Sequence, residues 1–101
     1  MRQRLSAQQA AESLTRIPAW TLDGDRIHRQ FPFGDFADAI IFVNKVAELA
    51  EEEEHHPDIL VEYNKVTLTL STHDAGGLTA ADFQLARRID EIPSSTVEDI
   101  D

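Results

Sequence analysis

The sequence predicts an α+β domain in which a four-stranded antiparallel sheet carries helices packed on one face, in the order α-ββ-α-ββ-α. Two observations predict this class. Two pairs of short segments rich in β-branched and aromatic residues are each joined by turn-forming residues, as in β-hairpins. Segments with apolar residues at helical spacing precede, separate and follow these hairpins. A chain of 101 residues has the length of one domain with a modest core.

The first helix and the first hairpin are indicated by their boundaries. Ser6 followed by Gln9 has the form of a capping box and predicts a helix that ends near Arg16, before Pro18. The dipeptide Asp23-Gly24 then separates two short strand-like segments, and this dipeptide is strongly favoured in tight hairpin turns. These signals predict one helix followed by one hairpin.

The longest helix is predicted to begin at Asp35, which is followed three residues later by Asp38. Apolar residues then recur at helical spacing and leave only a narrow polar face. A helix of this kind needs more than one partner, either the sheet and another helix or the sheet and another subunit. A second hairpin is predicted next, with strands at residues 59–63 and 66–70 and a turn at Asn64-Lys65.

The last helix is predicted to begin at Thr79, because Thr79 and Asp82 resemble a second capping box. We expect this helix to end near Ile92. Residues 93–101 are polar and acidic, and we expect them to form a disordered tail. The folded part is therefore expected to be a single domain over residues 1–92.

Composition disfavours several classes of function. The formal charge is −10 and there is no basic stripe, so direct nucleic-acid binding through the phosphate backbone is disfavoured. The absence of cysteine excludes disulfides, thiolate catalysis and zinc ribbons. The N-terminal residues lack the apolar core of a signal peptide, and no apolar run reaches membrane-spanning length. We therefore expect a cytoplasmic protein that does not bind membranes.

The stretch at residues 51–58, with the sequence EEEEHHPD, is the strongest candidate for a functional site. Its glutamates lie at the predicted C-terminal end of a helix, where the helix dipole favours cations, so helix stability does not explain them. Pro57 ends the helix and leaves His55 and His56 where a cleft can open. Glu51 and His55 are four residues apart, so in an uninterrupted helix the carboxylate would contact the imidazole. The alternatives are a solvated acidic face or a metal site, although no His-Glu-x-x-His spacing is present.

The spacing of these residues resembles the signature of the pterin-4a-carbinolamine dehydratase family. The match comprises Glu51-x-x-x-His55-His56-Pro57, followed by Tyr63, His73 and Asp82. Other motifs similar to that family are Trp20 after a proline, Arg29-x-Phe31-x-Phe33, Asp35-Phe36, Ala47-Glu48-x-Ala50-Glu51, Tyr63-Asn64, Ser71-Thr72-His73 and Gly76-Gly77-Leu78-Thr79. The resemblance covers residues 5–92, essentially the whole predicted domain.

The resemblance implies a dehydratase, a lyase that converts a 4a-hydroxytetrahydropterin to a quinonoid dihydropterin and water. This reaction recycles the pterin cofactor of aromatic amino-acid hydroxylases. It requires one proton to be delivered to the departing hydroxyl and another to be withdrawn from the neighbouring ring nitrogen. Histidine side chains do both near neutral pH. The resemblance implies no metal, no redox cofactor and no covalent intermediate.

The resemblance also implies roles for individual residues. His55 and His73 would be the general acid and base, while His56 would orient the pterin and share in proton transfer. Glu51 would tune His55, and Asp82 would either orient His73 or only cap its helix. The residues implied to bind substrate are Glu51, Glu54, His55, His56, Ser71, Thr72, His73 and Asp82.

The implied partners are a pterin substrate and further copies of the chain, in a homodimer or homotetramer. Animal members of the family also act as dimerisation partners of a homeodomain transcription factor. A protein-binding module or transcriptional coactivator is therefore the alternative function. The complete three-histidine set favours the enzyme, because binding a protein through helices does not require imidazoles at these positions. An enzyme of the same fold that acts on another pterin is a third alternative.

Overall fold

The structure is a computed structural model that describes residues 2–93. It confirms the predicted fold class and the predicted order of elements. These elements are α1 (Ala7–Leu14), β1 (Thr21–Asp23), β2 (Arg26–Pro32), α2 (Phe36–Glu53), β3 (Asp58–Glu62), β4 (Lys65–Leu70), a short 3₁₀ turn (His73–Ala75) and α3 (Ala80–Asp90). None of the helices in this part of the chain is both long and apolar enough to cross a membrane.

The four strands form one antiparallel sheet in the order β1-β2-β4-β3, so the two hairpins join where β2 pairs with β4. Side chains alternate along β4, as its sequence predicts. Val66, Leu68 and Leu70 are fully buried. Thr67 and Thr69 are half-buried on the opposite face. The helices therefore cover one face of the sheet, and the core lies between the two layers.

The long helix α2 packs on the sheet and on α3. Its buried side chains recur every three or four residues, at Ala39, Phe42, Val46 and Ala50. The sheet and α3 are thus the two partners that this apolar helix requires within the chain. Phe36 and Ile41, on other sides of the helix, remain 51% and 43% exposed.

The C-terminal end of α3 is fastened to β2 through one carboxylate. Asp90 Oδ1 accepts hydrogen bonds from Trp20 Nε1 at 2.9 Å and from Arg29 Nη1 at 2.7 Å. The Trp20 ring lies edge-on to Phe31, and the Arg29 guanidinium lies over the same Phe31 ring. These contacts fix one end of α3 over the sheet, which constrains where its other end lies.

Helix ends differ from the prediction by a few residues. α1 ends at Leu14 rather than near Arg16, and α3 ends at Asp90 rather than near Ile92. The chain continues past α3 in a tighter turn, because the Ile92 amide bonds to the Ile89 carbonyl, three residues back, at 3.0 Å. Apolar spacing does not distinguish such a turn from the last helical residues. The predicted disordered tail, from residue 94 onward, lies outside the described residues.

The second hairpin turns at Tyr63-Asn64, one residue earlier than predicted. Lys65 is already part of the sheet, since it pairs with Glu62 and with Pro32. Tyr63 adopts a positive φ of 53° in this turn. Tyr63 is exposed, so this residue of the family signature lies at a hairpin tip.

Replacing Leu68 by alanine tests the central strand. Leu68 is fully buried in β4, so Leu68→Ala is expected to lower the free energy of unfolding by about 2–5 kcal/mol. Thr67→Ala, at the adjacent position on the opposite face, is expected to lower it by less than about 1 kcal/mol. Urea denaturation followed by circular dichroism measures both. Equal losses for the two variants would contradict the assignment of faces.

Candidate active site

The end of α2, the end of β4 and the segment before α1 border one hollow of about 240 Å³. The residues that line it are Arg2, Glu54, His55, His56, Ser71, Thr72, His73 and Asp74. We call this space the histidine hollow, because all three histidines of the family signature border it. A further space of about 470 Å³ shares its residues Arg2, Glu54, Thr72 and Asp74. That volume lies within the roughly 300–1,000 Å³ that is typical of ligand pockets.

Glu54 ends α2 and redirects the chain. It adopts a left-handed conformation, with φ 52° and ψ 42°, and the amide of His55 bonds back to the carbonyl of Ala50 at 3.1 Å. His55 has therefore left the helix and no longer lies one turn above Glu51. The predicted contact between Glu51 and His55 is wrong for this reason. Glu51 Oε2 instead bonds to His56 Nε2 at 2.6 Å, on the exposed side of the site.

His55 is buried and has a partner at each ring nitrogen. Its Nε2 lies 2.5 Å from Asp82 Oδ1, and its Nδ1 lies 2.8 Å from Arg2 Nη1. Arginine has donors only, so Nδ1 accepts and Nε2 carries the proton that is donated to Asp82. These partners fix one tautomer, with the unprotonated nitrogen directed toward Arg2.

Asp82 joins three parts of the site. Its Oδ1 accepts from His55, while its Oδ2 accepts from Thr72 Oγ1 at 2.8 Å and from the backbone amide of Thr79 at 2.9 Å. The Thr72 hydroxyl proton is used in this bond, so the Thr79 hydroxyl donates to Thr72 Oγ1 at 2.8 Å and itself accepts from the Ala81 amide at 3.2 Å. Asp82 is 0% exposed. Asp82 thus caps α3 and also holds His55, and no hydrogen bond joins it to His73 in the described part of the chain.

His73 and Ser71 follow β4 and also border the hollow. His73 lies just past the end of the strand and begins the 3₁₀ turn with an exposed side chain. Its ring makes no hydrogen bond within residues 2–93 and is available to a ligand. The Ser71 hydroxyl donates to the carbonyl of Asp25 at 2.9 Å, and the Thr72 hydroxyl bonds to Asp82. Both hydroxyls are therefore engaged within the protein.

Two of the four glutamates connect α2 to α3. Arg88 Nη1 donates to Glu53 Oε2 at 2.7 Å, and its Nη2 donates to Glu52 Oε1 at 2.9 Å. These two hydrogen bonds, the one to Glu53 foremost, raise the pKa of the Arg88 guanidinium above its ordinary value. The acidic run is therefore partly a contact between helices, and only Glu54 of the four borders the histidine hollow.

The sequence interpretation and the geometry agree on most, though not all, of the lining. Glu51 and Asp82 do not border the hollow but hold His56 and His55, which do. Arg2 and Asp74 border it and were not predicted. Asp74 follows His73 in the same turn, so its position next to a predicted site residue could have indicated it. No motif in the sequence indicates Arg2. Within the described residues, no group of three or more histidine and acidic side chains is arranged to hold a metal ion.

A family model described as "Pterin 4 alpha carbinolamine dehydratase" matches residues 3–92. The chain belongs to this family. A Thermomicrobium roseum relative named "Putative pterin-4-alpha-carbinolamine dehydratase" is 50% identical over 91 residues, which cover 90% of this chain and 98% of the relative. A Chloroflexus aurantiacus relative of the same name is 54% identical over 89 residues, which cover 88% and 96% of the two chains.

Two solved structures resemble this member of the pterin-4a-carbinolamine dehydratase family. A "transcriptional coactivator/pterin dehydratase" from Brucella melitensis has a TM-score of 0.81 and 37% identity, covering 86% of this chain and 95% of that chain. A "pterin dehydratase-like protein" described as a RuBisCO assembly factor in the α-carboxysome has a TM-score of 0.57 and 28% identity, covering 70% and 82%. The fold of this family therefore occurs in proteins with different described roles.

Asp82→Asn tests the buried network. Three donors bond to the two carboxylate oxygens of Asp82. The asparagine side chain of the variant would place its own NH₂ group against at least one of these donors. The unpaired donor is expected to cost about 1–3 kcal/mol of unfolding free energy. Asp38→Asn is the matched control, since Asp38 occupies the same third position of α2 as Asp82 does in α3. Urea denaturation measures both variants, and an equal, small loss would show that Asp82 acts only through the helix dipole.

Proposed function

We propose that the protein dehydrates a 4a-hydroxytetrahydropterin to a quinonoid dihydropterin, and so recycles the cytoplasmic pterin cofactor of aromatic amino-acid hydroxylases. The observation that carries the proposal is that His55, His56 and His73 border one hollow. Membership of the pterin-4a-carbinolamine dehydratase family supports the same activity. Three imidazoles around one hollow, which shares four lining residues with a larger space, supply both proton donors and proton acceptors near neutral pH.

The reaction needs one acid and one base on the substrate. The base removes the proton from the ring nitrogen beside the hydroxyl-bearing carbon, and the freed electron pair forms the new C=N bond. The C–O bond breaks, and the hydroxyl leaves as water with the proton from the acid. Protons and electrons balance with no other reactant, so one proton acceptor and one proton donor are sufficient.

His55 and His73 are proposed as this acid–base pair, with His56 as the residue that orients the ring. His73 has an exposed ring at the rim of the hollow. His55 Nε2 is engaged by Asp82, so His55 exchanges protons with substrate through Nδ1, after Arg2 has moved. His56 Nε2 is engaged by Glu51, which leaves its Nδ1 for the substrate.

Histidine substitutions test the proposed reaction. The purified protein is mixed with freshly generated 4a-carbinolamine, and the quinonoid product is followed by absorbance. His55→Ala and His73→Ala are each expected to lower kcat by about 10²–10⁴-fold, since each removes a group that transfers a proton. His56→Ala is expected to act mainly on KM.

His28→Ala is the matched control, because His28 lies in β2 and pairs with Thr21 and Thr69 rather than bordering the hollow. Its kcat and KM are expected to equal those of the wild type. A wild-type protein no faster than buffer would refute the activity. Full activity in both His55→Ala and His73→Ala would refute the assigned residues.

Self-association is the second part of the proposal, and the exposed apolar side chains of β3 support it. β3 is an edge strand of five residues, and its Ile59 and Leu60 are 39% and 54% exposed. An unpaired edge with apolar side chains favours pairing with another copy of the chain. The family resemblance implies a homodimer or homotetramer for the same protein.

Ile59→Lys is expected to shift the protein to monomers, because it places a charge in the proposed interface. Thr21→Lys is the matched control, since it adds the same charge to β1, the opposite edge strand. Sedimentation velocity at micromolar concentration measures both. A wild-type monomer, or dissociation by Thr21→Lys alone, would contradict the proposed interface.

The alternative to the enzyme is the coactivator function. It would require a helical partner protein that binds His55→Ala and His73→Ala as well as it binds the wild type.

A further inference from the structure

The segment before α1 runs along the loop that leads into α3 and ends at the histidine hollow. The Leu5 amide bonds to the Leu78 carbonyl at 2.8 Å. The Arg4 side chain lies directly against Gly77, where an added Cβ would lie 2.8 Å from Arg4 Nε. These contacts hold the segment in place, and its Arg2 borders the hollow.

The Arg2 guanidinium is bound by three acceptors. Its Nη1 donates to His55 Nδ1 at 2.8 Å, and its Nη2 donates to the carbonyls of Glu53 and Glu54 at 3.1 Å and 3.0 Å. These carbonyls lie at the C-terminal end of α2, where a cation is favoured. The last turn of α2 has no basic residue of its own. One planar group therefore occupies an imidazole nitrogen and two carbonyls at once.

The contact with Arg2 blocks Nδ1 of His55. Its Nε2 bonds to the buried Asp82, so a ligand in the hollow can reach His55 only at Nδ1. Arg2 occupies that nitrogen, and a ligand that bonds to it must first displace the guanidinium. Arg2 also lies outside residues 3–92, the part that matches the family model.

The pterin of the proposed function needs the same nitrogen. Its dehydration takes place at the hydroxyl-bearing carbon and the N–H beside it, and His55 is proposed to exchange protons with that part of the substrate through Nδ1. The Arg2 guanidinium and the substrate therefore cannot both occupy Nδ1.

We infer that Arg2 is an internal occupant of the histidine hollow, held by His55 Nδ1 and by the carbonyls of Glu53 and Glu54, and that pterin binding displaces it. The identity of the ligand rests on the proposed function. The existence of the acceptor set does not, because it is defined by His55 Nδ1 and the carbonyls of Glu53 and Glu54.

Arg2→Ala removes the occupant. The variant is expected to bind 7,8-dihydrobiopterin, which has no hydroxyl to lose, about tenfold more tightly than the wild type, as expected when hydrogen bonds no longer have to be broken. Arg2→Lys should lie between the two, since one ammonium satisfies three acceptors less well. Arg16→Ala, which removes the same charge from an exposed position after α1, should bind like the wild type. Isothermal titration calorimetry measures all four proteins.

Methylguanidinium ion is the second probe, and it does not depend on pterin chemistry. It is expected to bind Arg2→Ala but not the wild type, to shift the ¹⁵N resonance of His55 Nδ1, and to compete with 7,8-dihydrobiopterin. Failure of methylguanidinium to shift that resonance would overturn the acceptor set. If the wild type turns over the carbinolamine and Arg2→Ala binds 7,8-dihydrobiopterin equally or more weakly, the displacement is overturned while the proposed function stands. If the wild type shows no turnover, the proposed function fails, and the methylguanidinium experiment still decides the acceptor set.

Discussion

The buried carboxylate of Asp82 is the constraint on which the rest of the site depends. An ionised or hydrogen-bonded carboxyl that is 0% exposed has to be fully satisfied by the protein, since water cannot reach it. Its two oxygens accept from His55, Thr72 and the Thr79 amide, which belong to the end of α2, the end of β4 and the start of α3. Satisfying one side chain therefore fixes the relative positions of three chain segments. The histidine hollow is bordered by two of these segments, the end of α2 and the end of β4, together with the segment before α1.

A second carboxylate, which also accepts more than one hydrogen bond, fixes the opposite end of α3. Asp90 accepts from Trp20 and Arg29 and so fastens the helix to β2. With both ends of α3 held, the helix has little freedom to slide over the sheet, and Arg88 connects it to α2 as well. Separate sets of hydrogen bonds thus position α3 at its start, at its end and against α2.

The sequence predicted the elements well because each has a local signal, and it predicted contacts less well because these depend on single backbone angles. Alternation in β4 and the capping pairs identify their elements without tertiary information. The expected contact of Glu51 with His55 was wrong because Glu54 adopts a left-handed conformation. A glutamate does not predict this conformation, which is typical of glycine and asparagine. The bond from His55 to Asp82 joins residues 27 positions apart, so spacing within one helix does not reveal it. Arg2 has no motif at all, and only the fold of the N-terminal segment brings it to the hollow.

The acidic run at residues 51–54 lies at the C-terminal end of α2, where the helix dipole favours cations, and contacts with other residues compensate its charge. Glu52 and Glu53 meet Arg88 from α3, Glu51 meets His56, and Arg2 supplies the cation that the last turn of α2 lacks. Arg88 and Arg2 come from other segments, so their contacts with the end of α2 form only in the folded chain. The carbonyls left at that end face a guanidinium rather than water. Arg2 thus joins a helix terminus that is unfavourable by itself to the imidazole of His55, so that one cation serves both the end of α2 and His55 Nδ1.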